Sequence, residues 1–342
     1  MRILVVGDSF VSADVFRRGL NALADEHELT FLQLDESRTP PALSIREYAG
    51  DPREIIEWIV GVEVLVVHGA PVTDEVLDAS DMLRLVCCAR GGPVNVDVAA
   101  ASERSIPVVT TPAKNADAVA DQTLAFMVML ARRFPHAQRF LLEGNGVGDS
   151  AFQGARFFGH DLGGHVLGLV GYGNVGHRVA RRARAFEMKV IVFDPYLDLE
   201  GDENVEQVAD LETLLERAHF VSLHARATPE NENLLGHSAF ARMRLGSYFV
   251  NTARETLVDE EALDEALSSG RLAGAALDVV RPRNASGPHP LLRHENVVLT
   301  PHIGGATHET LLRGATMVAE EIKRFAAGEP LLNVINRQAV DA

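Results

Sequence analysis

The chain reads as an α/β protein with two doubly wound parallel sheets, and two regularities in its 342 residues carry that reading. Short β-branched runs alternate with helix-length stretches along its length, the rhythm of parallel βαβ units. The alternation falls into two series separated by one long apolar helix, and the chain is long enough for two domains with sizeable cores.

The first series has runs at 3–6, 29–32, Val64–Val67, Leu85–Cys88 and 108–110, which predicts a five-stranded α/β domain. Next, residues 117–133 (DAVADQTLAFMVMLARR) predict a long buried helix, with Asn115 or Asp117 as its cap. The glycine-rich stretch Gly144-Asn145-Gly146-Val147-Gly148 is read as irregular. The second series, at Val166–Val170, Lys189–Phe193, Phe220–Leu223, 248–251, 274–278 and Val297–Leu299, predicts another doubly wound sheet. A helical pattern over 309–326 is closed by Gly328 and Pro330, and no repeat or low-complexity tract interrupts the chain.

Composition narrows the function. A hydrophobic content of 46% is ordinary for a globular enzyme, and the longest apolar runs are too short to span a bilayer. The N-terminal run Met1-Arg2-Ile3-Leu4-Val5-Val6-Gly7-Asp8 meets an acid before a signal-peptide core forms, so the expectation is a cytoplasmic protein with no membrane partner. Two adjacent cysteines, Cys87 and Cys88, build neither a disulfide framework nor a zinc cluster and are read as reduced core residues, with no metal site expected. A net charge of −16 argues against nucleic acid. Arg178, Arg181, Arg182 and Arg184 are read as a solvated helix face.

The most specific local motif is Gly171-Tyr172-Gly173-Asn174-Val175-Gly176, which follows an apolar strand and opens a helix. In that context the first two glycines give a tight turn and close approach to a pyrophosphate, and the third gives close helix packing. Asp194 ends the next strand about twenty residues on, where a carboxylate accepts from both ribose hydroxyls and repels a 2′-phosphate. Together these features indicate a dinucleotide site for NAD rather than NADP.

Downstream stand Asn251-Thr252-Ala253-Arg254 and Pro301-His302-Ile303-Gly304-Gly305. An arginine that forks onto a carboxylate and a histidine that moves a proton are what oxidation of a hydroxy acid needs. With these two placed on the fingerprint, the chain resembles the D-isomer-specific 2-hydroxyacid dehydrogenases over nearly its whole length, and most closely their phosphoglycerate dehydrogenase-like branch. The resemblance also rests on Ala89-Arg90-Gly91-Gly92-Pro93-Val94-Asn95-Val96-Asp97, Thr110-Thr111-Pro112 and Ala275-Ala276-Leu277-Asp278-Val279.

The resemblance implies a Rossmann NAD-binding domain (113–306) inserted into a flavodoxin-like substrate domain (1–112 and 307–342), with the active site in a cleft closed by hinges near 111–113 and 303–307. It implies that Thr252, Ala253 and Asp278 meet the nicotinamide side, together with Arg254, His302 and Gly304. It places Asn174 and Val175 at the pyrophosphate, and His224 with Ala225 at the adenosine. The backbone around Arg90, Gly91 and Gly92 holds the substrate carboxylate with Arg254. The implied reaction is hydride transfer between NAD and a small 2-hydroxy or 2-oxo acid, a small sugar acid or its phosphate, with His302 moving the proton. A homodimer paired through the cofactor domain and an arm at 134–158 is also implied.

The chain departs from this pattern in places. Relatives place a glutamate, or in formate dehydrogenases a glutamine, five residues after the aspartate that is here Asp278; this chain has Arg283, and no acid occurs anywhere in 279–294. A guanidinium beside His302 favours the neutral imidazole, which predicts good oxidation at neutral pH. Alternatively Arg283 turns to solvent while His289 or Glu309 supports His302, or it joins Arg90 in binding a distal phosphate or carboxylate of the substrate. Glu255 follows Arg254 where glycine is usual, and Arg226 stands where proline is common near the adenine. The competing class is an NAD(H)-binding regulator or scaffold with impaired chemistry. The short tail after Pro330 leaves no room for a regulatory domain, so serine feedback is not expected.

Overall fold

The computed structural model describes residues 1–146, 151–199, 204–283 and 287–339, and within it the chain forms two compact units. One unit comprises Met1–Lys114 with Ala306–Ala342, and the other Asn115–Gly305. No helix among the described residues is long and apolar enough to cross a membrane.

In the first unit, β1 (Arg2–Gly7), β2 (Glu28–Gln33), β3 (Val64–Val67), β4 (Leu85–Cys88) and β5 (Val108–Val109) form one parallel sheet of order β2-β1-β3-β4-β5. The β-branched runs fit because β3 and β4 are buried along their whole length. Side chains alternate between two cores: Ile3, Val5, Val64, Val66 and Cys87 lie in one, while Leu4, Val6, Leu65, Val67 and Cys88 lie in the other. Both cysteines are buried free thiols, and burial raises both, Cys88 to about 12. They remain inert thiols, as the core assignment requires.

The C-terminal helix His308–Ala326 covers the first of these cores. A Cβ at Gly19 would lie 2.3 Å from that of Ala315, so glycine is what lets helix Ala13–Gly19 cross it so closely. The tail then returns to the sheet edge. Val334 bridges Val109 antiparallel, the N–H of Ile335 donates to Val108 O (2.9 Å), and that of Thr110 donates to Asn333 O (3.0 Å). Two buried polar side chains fix this edge. Glu321 accepts from the N–H groups of Leu332 and Asn333, and Asn336 accepts from Val108 N–H (2.8 Å) while donating to Ile106 O and Ser102 Oγ.

In the second unit, β6 (Val166–Val170), β7 (Lys189–Phe193), β8 (Glu206–Gln207), β9 (Phe220–Leu223), β10 (Ser247–Asn251), β11 (Leu272–Leu277) and β12 (Val297–Leu299) pair in parallel. Their order, β12-β11-β10-β9-β6-β7-β8, reverses between β6 and β9, where open α/β sheets place their ligands. The sequence indicates six of these seven strands. The other, β8, is two exposed polar residues on the edge and carries no β-branched signal.

The long helix runs Ala116–Ala131 and stops short of the predicted 133, because Arg133 adopts a left-handed conformation (φ 53°) and a second helix, Phe134–Leu142, starts there with Pro135 in its first turn. Neither proposed cap operates: Asn115 occupies the cap position without a side-chain bond, and Asp117 faces Arg178 (3.2 Å) and Arg182 (3.1 Å). Arg182 also pairs with Asp121 at 2.6 Å. The reading of those arginines as a solvated face is therefore corrected: two of them clamp helix Asn174–Ala185 to helix Ala116–Ala131. Of the glycine-rich stretch, Val147 and Gly148 lie outside the described residues, and 144–146 carry no helix or strand.

Replacing Asn336 by alanine leaves the Val108 N–H buried without an acceptor, which should cost about 1–3 kcal/mol. Denaturant unfolding followed by circular dichroism should show a lowered midpoint for Asn336→Ala, and an unchanged midpoint overturns the assignment.

Candidate functional site

The turn between β6 and helix Asn174–Ala185 gives each of its three glycines a separate task. Gly171 has φ +97°, and a Cβ there would lie 2.7 Å from Ala225 N and 2.8 Å from His224 C, so the segment after β9 packs directly on the turn. At Gly176 a Cβ would lie 2.4 Å from Gly171 O, which is the close helix-to-strand approach. At Gly173 it would meet no protein atom within 4 Å. That glycine borders open space, at a helix N-terminus whose first N–H groups no side chain accepts from as a cap. The uncapped N–H groups of Asn174, Val175 and Gly176 suit the negative charge of a pyrophosphate.

Asp194, just after β7, closes the back of this turn by accepting from the Tyr172 N–H (2.9 Å) through Oδ2 and from the Tyr196 N–H (3.0 Å) through Oδ1. Each oxygen keeps a lone pair for a ribose hydroxyl. His224 is held by Ser222 Oγ at 2.9 Å from Nε2, and burial drives its pKa down to about 3, so the ring is neutral. Arg226 is exposed, and its carbonyl accepts from Asn231 Nδ2.

The second half of the site is built at the carboxyl ends of β10 and β11. Asn251, buried at the end of β10, accepts from the Ala253 N–H (3.0 Å) and donates to Arg254 O (3.0 Å), which shapes the segment carrying the arginine. Arg254 is exposed and spends one N–H on Ala253 O (2.6 Å); no carboxylate of the described residues pairs with it, Glu255 included. The Thr252 hydroxyl turns inward to Thr123 Oγ1 at 3.1 Å.

Asp278 follows β11, and its buried carboxylate is the anchor of the histidine loop. Oδ1 accepts from Gln122 Nε2 (3.0 Å), the Thr300 hydroxyl and the Ile303 N–H (2.9 Å), while Oδ2 accepts from the Gly304 N–H (2.8 Å). A Cβ on Gly304 would sit 2.9 Å from Asp278 Oδ2 and from Gln122 Oε1, so only glycine fits. Between these anchors His302 takes φ +56°, its N–H donating to Asp278 O (2.8 Å), with the residue exposed. A non-glycine residue in that region is held there by its surroundings.

No carboxylate of the described residues lies within ion-pair distance of His302. Arg283 is exposed and makes no hydrogen bond or ion pair with any described residue. His289 faces Glu260 instead, at 3.4 Å. In the first unit, the Arg90 guanidinium bonds to Glu47 O (2.9 Å) and to the Glu47 carboxylate. Gly91 and Gly92 are exposed, and their N–H groups donate to no described residue.

Sequence reasoning missed Gln122 and Thr300. Their trace is a Gln-Thr pair midway along a helix whose other polar residues are Asp117 and Asp121, and a threonine just after β12.

The model of the D-isomer specific 2-hydroxyacid dehydrogenase NAD binding domain matches residues 124–304. The chain belongs to that family. It is 37% identical to the glyoxylate reductase of Korarchaeum cryptofilum over 97% of its own length and 96% of that protein. It is 39% identical to the D-3-phosphoglycerate dehydrogenase of Methanocaldococcus jannaschii over 83% of this chain, but spans only 53% of that relative. The crystal structure of the TT0316 protein from Thermus thermophilus matches with a TM-score of 0.77 at 33% identity, over 98% of this chain and all (100%) of that one. The glycine cradle fits NAD, the cofactor of this family's domain.

Because Gly173 borders open space and Gly176 borders backbone, their substitution should separate binding from folding. Gly173→Val should weaken NADH affinity at least ~10-fold with an unchanged melting temperature, whereas Gly176→Val should lower both. Fluorescence titration with NADH alongside thermal melts checks this, and a Gly173→Val protein that binds NADH normally overturns the pyrophosphate assignment.

Proposed function

We propose that this chain moves hydride between NAD and C2 of a D-2-hydroxy acid, a small sugar acid or its phosphate, with His302 as acid/base and Arg254 as the carboxylate clamp. The observation that carries this reading is the Asp278 carboxylate, which holds the loop of His302 through four donors. NAD supplies the acceptor for the hydride in oxidation and its source in reduction.

In oxidation an imidazole nitrogen of His302 takes the proton of the substrate 2-hydroxyl as the hydrogen on C2 leaves as hydride. In reduction it returns that proton to the 2-oxo oxygen. Arg254, with most of its N–H groups unspent, forks onto the carboxylate and steadies negative charge on the 2-oxygen. Gly91 and Gly92 keep backbone N–H groups suited to an anion such as a carboxylate, with Arg90 acting through its backbone. Thr252, Ala253, Asp278 and Gly304 shape the nicotinamide side, with Thr252 and Asp278 contributing through internal bonds. His224 and Ala225 border the adenosine.

Arg283 is assigned to a distal anion of the substrate, since its guanidinium is spent on no described residue. The protein is read as cytoplasmic. A homodimer is read from the exposed apolar side chains Phe134, Leu141, Leu142 and Phe158 along the arm at 134–158.

NADH absorbance with a panel of 2-oxo acids tests the reading. His302→Ala should lower kcat by about 10²–10⁴-fold while NADH still binds. Tight NADH binding by the wild type without turnover of any acid overturns it in favour of a regulator. Removing one charge-assisted contact, Arg283→Ser should raise KM for phosphorylated or dicarboxylic acids by ~10-fold and leave simple acids unchanged. Equal turnover of a simple acid and its phosphorylated counterpart overturns the distal-anion role.

A further inference from the structure

The second unit carries a cavity at the edge of its sheet that the dinucleotide turn and the histidine loop do not use. Tyr248 and Ala273 lie at the start of β10 and β11, and Asn296 immediately precedes β12. The cavity they help to line, of about 330 Å³, therefore sits at the amino ends of these strands. The glycine turn and the loop anchored by Asp278 follow the carboxyl ends of β6 and β12, at the opposite edge of the same sheet.

Arg133 is the charged wall of this cavity. It stands between two helices in the left-handed conformation (φ 53°), which a non-glycine residue keeps only when its surroundings impose it. Its guanidinium makes no hydrogen bond or ion pair with any described residue, and no acidic side chain of the described residues lines the cavity. The same backbone turn starts helix Phe134–Leu142, which no side chain caps. Pro135 and His136 of its first turn line the cavity, and the N–H groups of Phe134 and His136 donate to no described residue.

Tyr248 faces this charge from the sheet. It is only 7% exposed, its ring stacks on Phe220 with centroids 4.8 Å apart, and its hydroxyl bonds to no described residue. Burial raises the hydroxyl above its ordinary pKa and Arg133 pulls against that, so it stays a protonated donor at neutral pH. On the same wall His136 Nδ1 is buried without a partner. Burial lowers its pKa, with the charges of Arg133 and Arg139 adding to this and Glu295 opposing, so the ring is neutral. A buried polar group left unpaired is the exception in folded proteins. Leu130, Pro135 and Phe158 supply an apolar side.

We propose that this cavity is a second anion site, in which Arg133 forks onto the phosphate of a small phosphate monoester while Tyr248 and the start of helix Phe134–Leu142 donate to its oxygens. An unspent guanidinium, an unspent hydroxyl and uncapped helix N–H groups converge on one space, and a phosphate has the charge and the acceptor oxygens to satisfy them together. The volume exceeds that of a bare phosphate and falls within the range of small-molecule sites, and the apolar side suits the ester's organic group. Because the site lies across the sheet from the dinucleotide turn, it fills independently of NAD.

Calorimetric titration of the NADH-saturated full chain with phenyl phosphate tests this. Binding should saturate at one equivalent per chain, about 10-fold tighter than inorganic phosphate because the ring adds apolar contact. Arg133→Asn, whose side chain tolerates the left-handed backbone, should weaken phenyl phosphate at least ~10-fold, and Tyr248→Phe about 5-fold, with NADH affinity unchanged in both. Arg254→Ser should bind phenyl phosphate as the wild type does. Absence of saturation, inorganic phosphate binding as tightly as the ester, equal affinity in Arg133→Asn, or loss of affinity in Arg254→Ser overturns the proposal. If Arg133→Asn also loses NADH, Tyr248→Phe, which keeps the ring and its stack on Phe220, decides alone: unchanged phenyl phosphate affinity in it overturns the site.

Discussion

The carboxylate of Asp278 is the constraint on which the second unit's chemistry depends. Burying a charge is costly unless donors surround it, and here a side-chain amide, a hydroxyl and two main-chain N–H groups do so. Those donors come from helix Ala116–Ala131, from the end of β12 and from the loop that follows it, so one ion ties three separate pieces of chain together. The left-handed conformation of His302 costs on the order of 1–3 kcal/mol and persists because the residues after it are fastened to Asp278. The position of the imidazole is therefore a property of the main chain.

The dinucleotide turn follows the same logic in simpler form. Its glycines are set by what lies near each one: the segment after β9 against Gly171, a carbonyl against Gly176, and open space at Gly173. A side chain at the first or third would collide with backbone, which cannot yield. A side chain at the second would collide only with what the turn binds. This is why the spacing of the motif carries information beyond its glycine content.

Legibility in the sequence followed the range of the interaction. Strands announced themselves where a β-branched run is buried on both faces, as at β3 and β6, and β8 stayed silent because its two residues are exposed and polar. The end of the long helix was misjudged because Arg133 continues the helical composition while its backbone leaves the helix; Pro135 was the available sign. The arginines at 178 and 182 could not be told from a solvated face, since the acids they meet lie on another helix. Gln122 and Asp278 are 156 residues apart, and Asp8 and His68 are 60 apart. Only folding brings such pairs together, so neither was visible as a pair.

The two histidines at the sheet edges differ in what supports them. His68 has an ionised carboxylate on Nδ1 and a stacked ring, which fixes one tautomer and one direction for the other nitrogen. His302 has no carboxylate of the described residues beside it, and Arg283, where relatives carry the acid, bonds to none of them. The two imidazoles thus differ in their surroundings, one fixed by a buried carboxylate and a stacked ring, the other exposed with no carboxylate of the described residues beside it.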